Sequence, residues 1–205
     1  MILAFETSTR RASLSVCDPG TGTVAASAEF TTDRAHNAAI FAPLQKLVDA
    51  HREQLRAFLV GLGPGSYGGV RVGIAVANGL SVAMGLPVFG RNSLEAWETD
   101  EDSYLVVGDA RRGSFFVAVV RDRILQGEPE LIDEAAISDR LAPLLAEGLA
   151  VHSSDPKAVA AIPGARLSFP HAARLAARFE ALPATEPLEP IYLRAPYITT
   201  PKARG

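Results

Sequence analysis

A glycine-rich loop, Gly-Leu-Gly-Pro-Gly-Ser-Tyr-Gly-Gly at residues 61–69, has the clearest capacity for chemistry in this sequence. It lies between an apolar run typical of a strand and a run of small residues typical of a helix. Backbone amides at such a junction favour an anion, which makes Gly63, Gly65, Ser66 and Gly68 a candidate phosphate or carboxylate pocket. A tight turn that needs positive φ and close packing explains the same glycines without a ligand, and the pattern alone favours that interpretation.

Three known loop types do not account for this segment. Proline at position 64, and the lack of a carboxylate after the following strand, argue against a dinucleotide fingerprint. No lysine follows the loop, so it is not a Walker loop. Ser66 lacks the Gly-x-Ser-x-Gly frame of a nucleophile elbow.

A carboxylate and three hydroxyls follow the first apolar run, at Glu6, Thr7, Ser8 and Thr9. Oxygen ligands of this kind suit a magnesium–nucleotide complex. An ordinary polar hairpin has the same composition and needs no ligand. Composition alone favours the hairpin.

Residues with catalytic or metal-binding potential are otherwise scattered. The four histidines form no H-x-x-x-H or H-E-x-x-H pair, so the sequence predicts no helical metal site. Cys17 lies in an alternating strand pattern and has no local partner, which indicates a core residue. We predict no catalytic residue and no metal site.

The elements that must position these residues follow a regular order. In the first half, the patterns predict strands at 2–7, 12–16, 23–30, 55–62 and 86–90, helices at 36–51 and 70–84, and a short helix capped by Ser93 that runs to Trp97. Pro43 predicts a helix start nearby or a kink. In the second half they predict strands at 104–108, 114–120, within 124–132 and at 149–152, with helices at 138–146 and 171–182.

The acidic stretch 99–102 predicts a boundary between an N-terminal lobe, residues 1–99, and a smaller C-terminal lobe, residues 100–205. Each half opens with an apolar strand that ends in a carboxylate, followed by a turn with two arginines and a serine. This parallel indicates a duplicated β-β-β-α-β-α unit and an α/β fold with mixed sheets.

Composition excludes several classes of protein. The 205 residues carry 20 Lys and Arg against 23 Asp and Glu, a net charge of −3, so nucleic acid is not held by bulk positive charge. A single cysteine forms no internal disulfide and suits a reducing compartment. With no targeting segment or spanning helix in view, we expect a cytoplasmic protein that binds no membrane.

Two predicted helices carry surplus apolar or small surface. Residues 36–51 place Ile40, Leu44, Leu47 and Val48 on one stripe, with Phe41 on another side. The next helix carries Gly73, Ala77 and Ser81 at a spacing of four, which lets another helix approach closely. A partner interface formed by these residues with His36 and Arg71 is one interpretation, and internal packing is the other. The interface interpretation predicts a two-fold self-dimer when the protein is alone.

Several of these segments resemble one family. They are ILAFETST at 2–9, His36, the block at 63–96 that begins GPGSYGGVRVG, Asp109-Ala110-Arg111, and EPIYLR at 189–194. On these motifs the chain resembles the bacterial TsaB (YeaZ-type) family of tRNA threonylcarbamoyladenosine biosynthesis, in the actin-like ATPase superfamily. The resemblance implies two ribonuclease-H-like lobes.

The resemblance also implies a function. It implies a non-catalytic subunit that pairs with a homologous TsaD-type transferase, is joined by a TsaE-type P-loop ATPase, and meets tRNA only through the complex. ATP or ADP with magnesium would then belong to the complex. Glu6 stands where the family carries aspartate, and its extra methylene would misplace a magnesium ligand. An autonomous actin-like ATPase that uses Glu6 and the glycine loop is the alternative.

Overall fold

The first half of the chain forms a five-stranded sheet with the order β3-β2-β1-β4-β5. The computed structural model describes residues 1–31, 37–177, 179 and 187–193. The strands are β1 (Ile2–Glu6), β2 (Arg11–Cys17), β3 (Val24–Thr31), β4 (Ala57–Gly61) and β5 (Val88–Arg91). The first three pair antiparallel, whereas β4 pairs parallel with β1, and β5 with β4. The predicted meander and the two later strands are confirmed.

Two long helices lie on one face of this sheet. They are α1 (Phe41–His51), preceded by a 3-10 turn at Asn37–Ile40, and α2 (Tyr67–Met84). Pro43 is the third residue of α1, in the first turn, where a missing N–H breaks no helical bond. Helix α2 begins three residues earlier than the pattern indicates because Ser66 caps it by accepting from the Gly69 amide.

The short helix after β5 is a 3-10 turn at Ser93–Ala96. The prediction that Ser93 caps it is wrong. Asn92 is the cap, its Oδ1 accepting from the Leu94 amide at 2.9 Å. Ser93 Oγ instead accepts from the Gly63 amide at 3.0 Å and so ties the turn to the glycine loop.

The second half forms a sheet with the order β11-β10-β6-β7-β8, and β9 pairs with β7. Its strands are β6 (Tyr104–Asp109), β7 (Ser114–Arg121), β8 (Ile124–Leu125), β9 (Glu130–Asp133), β10 (Ala150–Ser153) and β11 (Arg166–Leu167). Its helices are α3 (Ile137–Ala146) and α4 (Pro156–Ala161), with α5 (Ala172–Ala176) after them. Helix α4 and β11 were not predicted, and the single strand expected within 124–132 is two strands.

The two sheets repeat one topology. In each, an antiparallel meander is followed by a helix, a strand parallel to the first strand of the meander, a second helix and a further parallel strand. The α/β class and the duplicated unit are therefore confirmed. The lobe boundary at residue 99 stays a prediction.

Helix α5 is the exception to this division, because it packs on the first sheet. Ala172, Leu175 and Ala176 join the apolar cluster of Ile2 and Leu59, on the face opposite to α1 and α2. The Ala172 amide donates to Ser13 Oγ at 2.9 Å, across 159 residues of sequence. The first sheet is thus covered on both faces.

The connection between the sheets is held by one buried arginine. Arg123 is 8% exposed, and its guanidinium donates to the carbonyl oxygens of Trp97, Thr99 and Glu101 at 3.2, 2.6 and 3.2 Å. Its Nε donates to the Asp102 carboxylate at 3.0 Å. The three guanidinium nitrogens of Arg123 thus bind residues 97, 99, 101 and 102. We call this arrangement the Arg123 clamp, and because of it the segment 97–102 is held in place and is not a loose linker.

Within the described residues, every helix falls short of the length and apolar character that a bilayer crossing requires.

Candidate functional site

The polar turn after β1 is buried. Glu6, Thr7, Ser8 and Thr9 are at most 9% exposed. Thr7 Oγ1 donates to the Gly69 carbonyl at 2.9 Å, and Thr9 Oγ1 donates to the Arg11 carbonyl at 2.8 Å. The hydroxyls of Thr7 and Thr9 therefore donate to backbone carbonyls of the same chain.

The Glu6 carboxylate faces the core. Its Oε1 accepts from the Ser8 amide at 2.7 Å, and a Cβ placed on Gly61 would come within 2.1 Å of Oε2 and 2.6 Å of Ser93 Oγ. Oε2 has no partner at normal hydrogen-bond geometry among the described residues. Burial raises the pKa of Glu6 above its ordinary 4.5, and the hydrogen-bonding groups of Ser8, Ser93 and Thr7 offset only part of that shift.

This geometry does not fit a magnesium–nucleotide site at Glu6. A magnesium ligand must present an ionised oxygen to the ion and its water shell. The Glu6 oxygens instead lie against the Ser8 amide and the backbone of β4 at Gly61, and burial favours the protonated carboxyl. We therefore derive no chemistry through a metal at this position.

The glycine loop packs directly on the same turn. The Ser66 amide donates to the Ser8 carbonyl at 2.6 Å, and a Cβ on Gly65 would come within 2.1 Å of that oxygen. The amides of Gly63 and Gly69 donate to side chains of Ser93 and Ser66. Three loop amides are thus used inside the chain and are not available to a phosphate. Close packing accounts for Gly61, Gly65 and Gly69, and a positive φ of 87° for Gly63, whereas a Cβ on Gly68 would meet open space.

The small-residue stripe of α2 also faces inward. A Cβ on Gly69 would lie 2.2 Å from the Thr7 carbonyl, and one on Gly73 would lie 2.5 Å from Thr7 Oγ1. Ala77 is fully buried. The stripe therefore lets α2 approach the turn after β1.

These positions correct the predicted partner interface at the residue level. Most of the assigned apolar side chains belong to the core of the same chain: Ile40, Leu44, Leu47, Gly73 and Ala77 are buried, and Val48 and Ser81 are half-buried. Only Phe41, at 57%, and Arg71 are exposed. His36 lies outside the described residues. The periodicity identified real stripes, but the stripe of α2 packs against β1 and β4, and that of α1 packs against β2 and β3.

The surface of α2 that remains open is a different one. It consists of Gly68, Arg71, Ala75, Asn78, Gly79, Val82 and Ala83, all exposed. Val82 is 86% exposed, and a Cβ on Gly68 or Gly79 would meet nothing within 4 Å. We call these residues the outer face of α2. It is flat, mostly small and nearly uncharged.

Arg71 is engaged with residues near the chain's C-terminus. Its Nε donates to Tyr192 Oη at 3.1 Å, and its guanidinium lies 4.1 Å from the centre of the Tyr67 ring. Tyr67 and Tyr192 stack with ring centres 5.7 Å apart. The Ile191 amide donates to the Leu62 carbonyl at 2.8 Å. The segment 187–193 is thus docked beside the glycine loop, whereas Arg194 of the same motif lies outside the described residues.

A cleft of about 670 Å³ lies where these turns meet the second sheet. Its walls are the turns after β1, β6 and β10, the glycine loop and the segment at 191–193. Its cationic side chains are Arg10, Arg111, Arg112 and Lys157, and its carboxylates are Asp109 and Asp155. Of the predicted anion-site residues, Ser8, Thr9, Gly65 and Ser66 line it, whereas Glu6, Thr7, Gly63 and Gly68 do not.

No pattern in the sequence predicts the cationic wall formed by Arg10, Arg111, Arg112 and Lys157. These residues come from three turns that are far apart in the chain. The only available signal was the pair of arginines in each half of the duplicated unit, at 10–11 and 111–112.

The structure also joins a serine to a histidine. Ser168 Oγ lies 2.8 Å from His152 Nδ1 and accepts from Trp97 Nε1 at 2.8 Å. Glu101 is 3.6 Å from His152 Nε2. Burial lowers the pKa of His152, and this partly buried polar network lies outside the residues that line the cleft.

One group of potential metal ligands occurs among the described residues, at Glu29, Glu98 and His171. Arg11 already lies between the two carboxylates, with Nε 2.8 Å from Glu29 and Nη1 3.0 Å from Glu98. Since the guanidinium neutralises both, the group does not fit a further cation.

Comparison with known proteins identifies the family. A family model described as TsaD, tRNA N6-adenosine threonylcarbamoyltransferase, matches residues 29–172. The chain belongs to this family. Its relatives are of the TsaB (YeaZ) type. The tRNA threonylcarbamoyladenosine biosynthesis protein TsaB of Escherichia coli is 32% identical over 127 residues, which is 57% of this chain and 53% of the relative.

Two further proteins are similar to this chain, one in sequence and one in fold. An uncharacterized protein of Mycobacterium tuberculosis is 38% identical over 144 residues, 69% of this chain. The chain spans only 65% of that relative's length. The structure of YeaZ from Pseudomonas aeruginosa superposes with a TM-score of 0.72 over 93% of this chain and 99% of that one, at 24% identity. That likeness shows that the two chains share a fold with two mixed sheets.

Proposed function

We propose that this chain is a non-catalytic accessory subunit for the synthesis of N6-threonylcarbamoyladenosine in tRNA. Membership of the TsaD family and the name of the E. coli relative support the pathway. One observation carries the accessory role: the carboxylate at the end of β1 is turned into the core and has a raised pKa. A subunit without a usable metal ligand there depends on a homologous partner for chemistry.

The proposal includes pairing with a TsaD-type transferase subunit through the outer face of α2 together with Phe41. Small residues on that face let the backbone of a second helix come close. Phe41 is 57% exposed and Val82 86% exposed, so both have apolar surface to bury. Homologous lobes carry similar helices, so a self-dimer forms when the partner is absent. A TsaE-type ATPase and tRNA join at the level of this cytoplasmic complex.

Co-purification with a TsaD-type subunit tests the pairing. Ala75→Arg places a long cation on the outer face, where Ala75 is exposed, so the fold persists. An arginine that must be desolvated costs about 3–5 kcal/mol, and we expect pairing to weaken at least roughly a hundredfold. Ala142→Arg is the matched control, because Ala142 is exposed on α3 of the second lobe. Normal pairing of Ala75→Arg, or equal loss in Ala142→Arg, would contradict this interface.

The accessory role itself is tested by reconstitution. We expect that TsaD-type and TsaE-type subunits modify tRNA only when this chain is added, and that Glu6→Gln supports normal modification. If the chain is dispensable, or if Glu6→Gln abolishes modification while the complex still assembles, the accessory role is wrong.

An autonomous nucleotide-hydrolysing enzyme is the second candidate. The hydroxyls of Ser8, Thr9 and Ser66 beside cationic side chains in one cleft favour it. Nucleotide turnover by the chain alone, abolished by Ser8→Ala, would establish it in place of the accessory role.

A further inference from the structure

One wall of the cleft is cationic although the chain as a whole is acidic. Arg10, Arg111, Arg112 and Lys157 line a cavity whose carboxylates number two, on a chain of net charge −3. A second cavity of about 390 Å³ shares Arg111, Arg112 and Lys157 with the first. The same three cations therefore line both cavities, together with Asp109 in each and Glu134 in the second.

The two carboxylates of this wall are used to shape its turns. Asp109 Oδ1 accepts from the Arg111 amide at 2.7 Å, and Asp155 Oδ1 accepts from the Lys157 amide at 2.9 Å. Asp109 also pairs with the Arg111 guanidinium at 3.3 Å. Among the described residues, the Lys157 side chain has no carboxylate at ion-pair distance. Both carboxylates thus accept from a backbone amide of their own turn, and Asp109 also pairs with Arg111.

The backbone displays the arginines outward. Arg111 and Arg112 have φ of 66° and 59°, a conformation that residues with a Cβ seldom adopt. The Arg111 side chain is 77% exposed. Both arginine side chains are exposed and line the cleft.

An aromatic ring lies across the same cleft from these cations. Tyr192 lines the cleft, is 41% exposed, and is braced by its stack on Tyr67. Cations that follow a backbone, combined with an exposed ring on which a base stacks, are the elements of single-strand RNA recognition.

We propose that this cleft binds a single-stranded segment of RNA, with phosphodiester groups on Arg111, Arg112 and Lys157 and a base on Tyr192. This deepens the proposed function, because it assigns the accessory subunit its own contact with the tRNA substrate. Three amides of the glycine loop, those of Gly63, Ser66 and Gly69, are used internally. The cations line two adjoining cavities, so a strand fits this wall better than a mononucleotide.

Binding of a short unstructured RNA to the isolated chain tests the proposal without any partner. We expect weak binding that strengthens at low salt. Arg111→Gln combined with Arg112→Gln should weaken it on the order of tenfold and reduce the salt slope by about 0.7 per cation removed. Lys157→Gln, on a separate turn, removes one cation and should therefore lower the salt slope by half as much as the double arginine variant does. Tyr192→Ala should weaken binding without changing the slope.

Arg121→Gln combined with Arg140→Gln is the control, because it removes one exposed and one half-buried arginine of the same lobe that do not line either cavity. Circular dichroism confirms that each variant folds. Equal losses in the control, or no RNA binding by the wild type at low salt, would overturn the proposal. Displacement of the RNA by stoichiometric ATP or pyrophosphate would also overturn it, in favour of a small phosphate ligand. None of these results depends on assembly with a transferase, so a failure of the proposed function is distinguishable.

Discussion

Glu6 is either a carboxylate that faces a ligand or a residue of the packed core, and the structure distinguishes these two roles clearly. In a fold whose first strand ends at the cleft, a carboxylate is expected to face a ligand. Here it is fully buried against Gly61, with a raised pKa. Glycine is required at position 61 because any Cβ would occupy the space of the carboxylate. The close fit of Glu6 against Gly61 also keeps the carboxyl group out of the lining of the cleft.

The raised pKa gives a prediction for stability. Since the folded protein holds this proton more tightly than the unfolded chain, the Glu6 contribution is full below pH 4.5 and is lost as pH rises through the folded pKa. We expect Glu6→Gln to remove that loss and to be more stable than the wild type at neutral pH. Urea unfolding of the wild type and of Glu6→Gln across a pH series measures this difference in the free energy of unfolding.

Glu29→Gln is the control of opposite sign. Arg11 holds the pKa of Glu29 below its ordinary 4.5, so that carboxylate stabilises the fold above pH 4.5 and its contribution is lost as pH falls. The Glu29 variant should therefore lose stability at neutral pH, by little because the pair is exposed. If Glu6→Gln behaves like Glu29→Gln, the buried orientation of Glu6 is refuted.

Four of the eight residues that the sequence predicts for an anion site line the cleft. Ser8, Thr9, Gly65 and Ser66 were singled out as chemistry-bearing residues, and they do line the cleft. Their partners across the cleft were not found, because the turns after β6 and β10 approach them only through tertiary packing. Spacing along the chain contains no signal for such a contact.

At the scale of elements, α2 shows why the face with Gly73 and Ala77, predicted as a partner interface, instead packs on the sheet of the same chain. The helix is small or apolar on nearly every side, with Gly73 and Ala77 on one face and Ala75 and Gly79 on the other. A period of 3.6 residues places side chains on faces but does not say which face meets the sheet when both qualify. The contacts of Thr7 with the Gly69–Gly73 face decide it.

A matched pair of glycines on α2 tests this orientation. Gly73→Ala forces a Cβ to within 2.5 Å of Thr7 Oγ1, and we expect a loss of about 1–3 kcal/mol in the free energy of unfolding. Gly79→Ala meets open space and should gain about 1 kcal/mol from helix propensity. Chemical denaturation of the two variants gives the comparison. Effects of the same sign would mean that α2 is rotated from the position described.

Most elements were predictable because they bury regular patterns. The strands of the first sheet fall within two residues of their predicted bounds. The fully buried β1 and β4 read as continuous apolar runs, whereas β2 alternates apolar and polar residues. Helix α4 was missed because six residues, Pro156–Ala161, are too few for a helical period to show. Strand β11 has two residues, both exposed, and carries no pattern.

For the whole molecule, the clamp formed by Arg123 sets how the two sheets are held. Arg123→Lys keeps the charge but loses the planar fork that reaches three carbonyls. Each buried carbonyl left without a donor costs about 1–3 kcal/mol. We expect a lower melting temperature and faster amide hydrogen exchange across residues 97–102.

Arg121→Lys is the matched control for the clamp. Arg121 is two residues away, at the end of β7, with a half-exposed side chain paired to Glu147. It should change neither the melting temperature nor the exchange. Equal behaviour of the two variants would show that residues 97–102 do not depend on the clamp.

The return of α5 to the first sheet has a consequence for how the chain is made. A ribosome releases the amino end first, so β1 to β5 are complete while the second lobe is still being synthesised. Until residues 172–176 emerge, the face with Ile2 and Leu59 lacks its covering helix. The nascent protein therefore passes through a stage with an apolar sheet face open to chaperones or to other nascent chains. The first lobe, although encoded first, is among the last parts of the molecule to be finished.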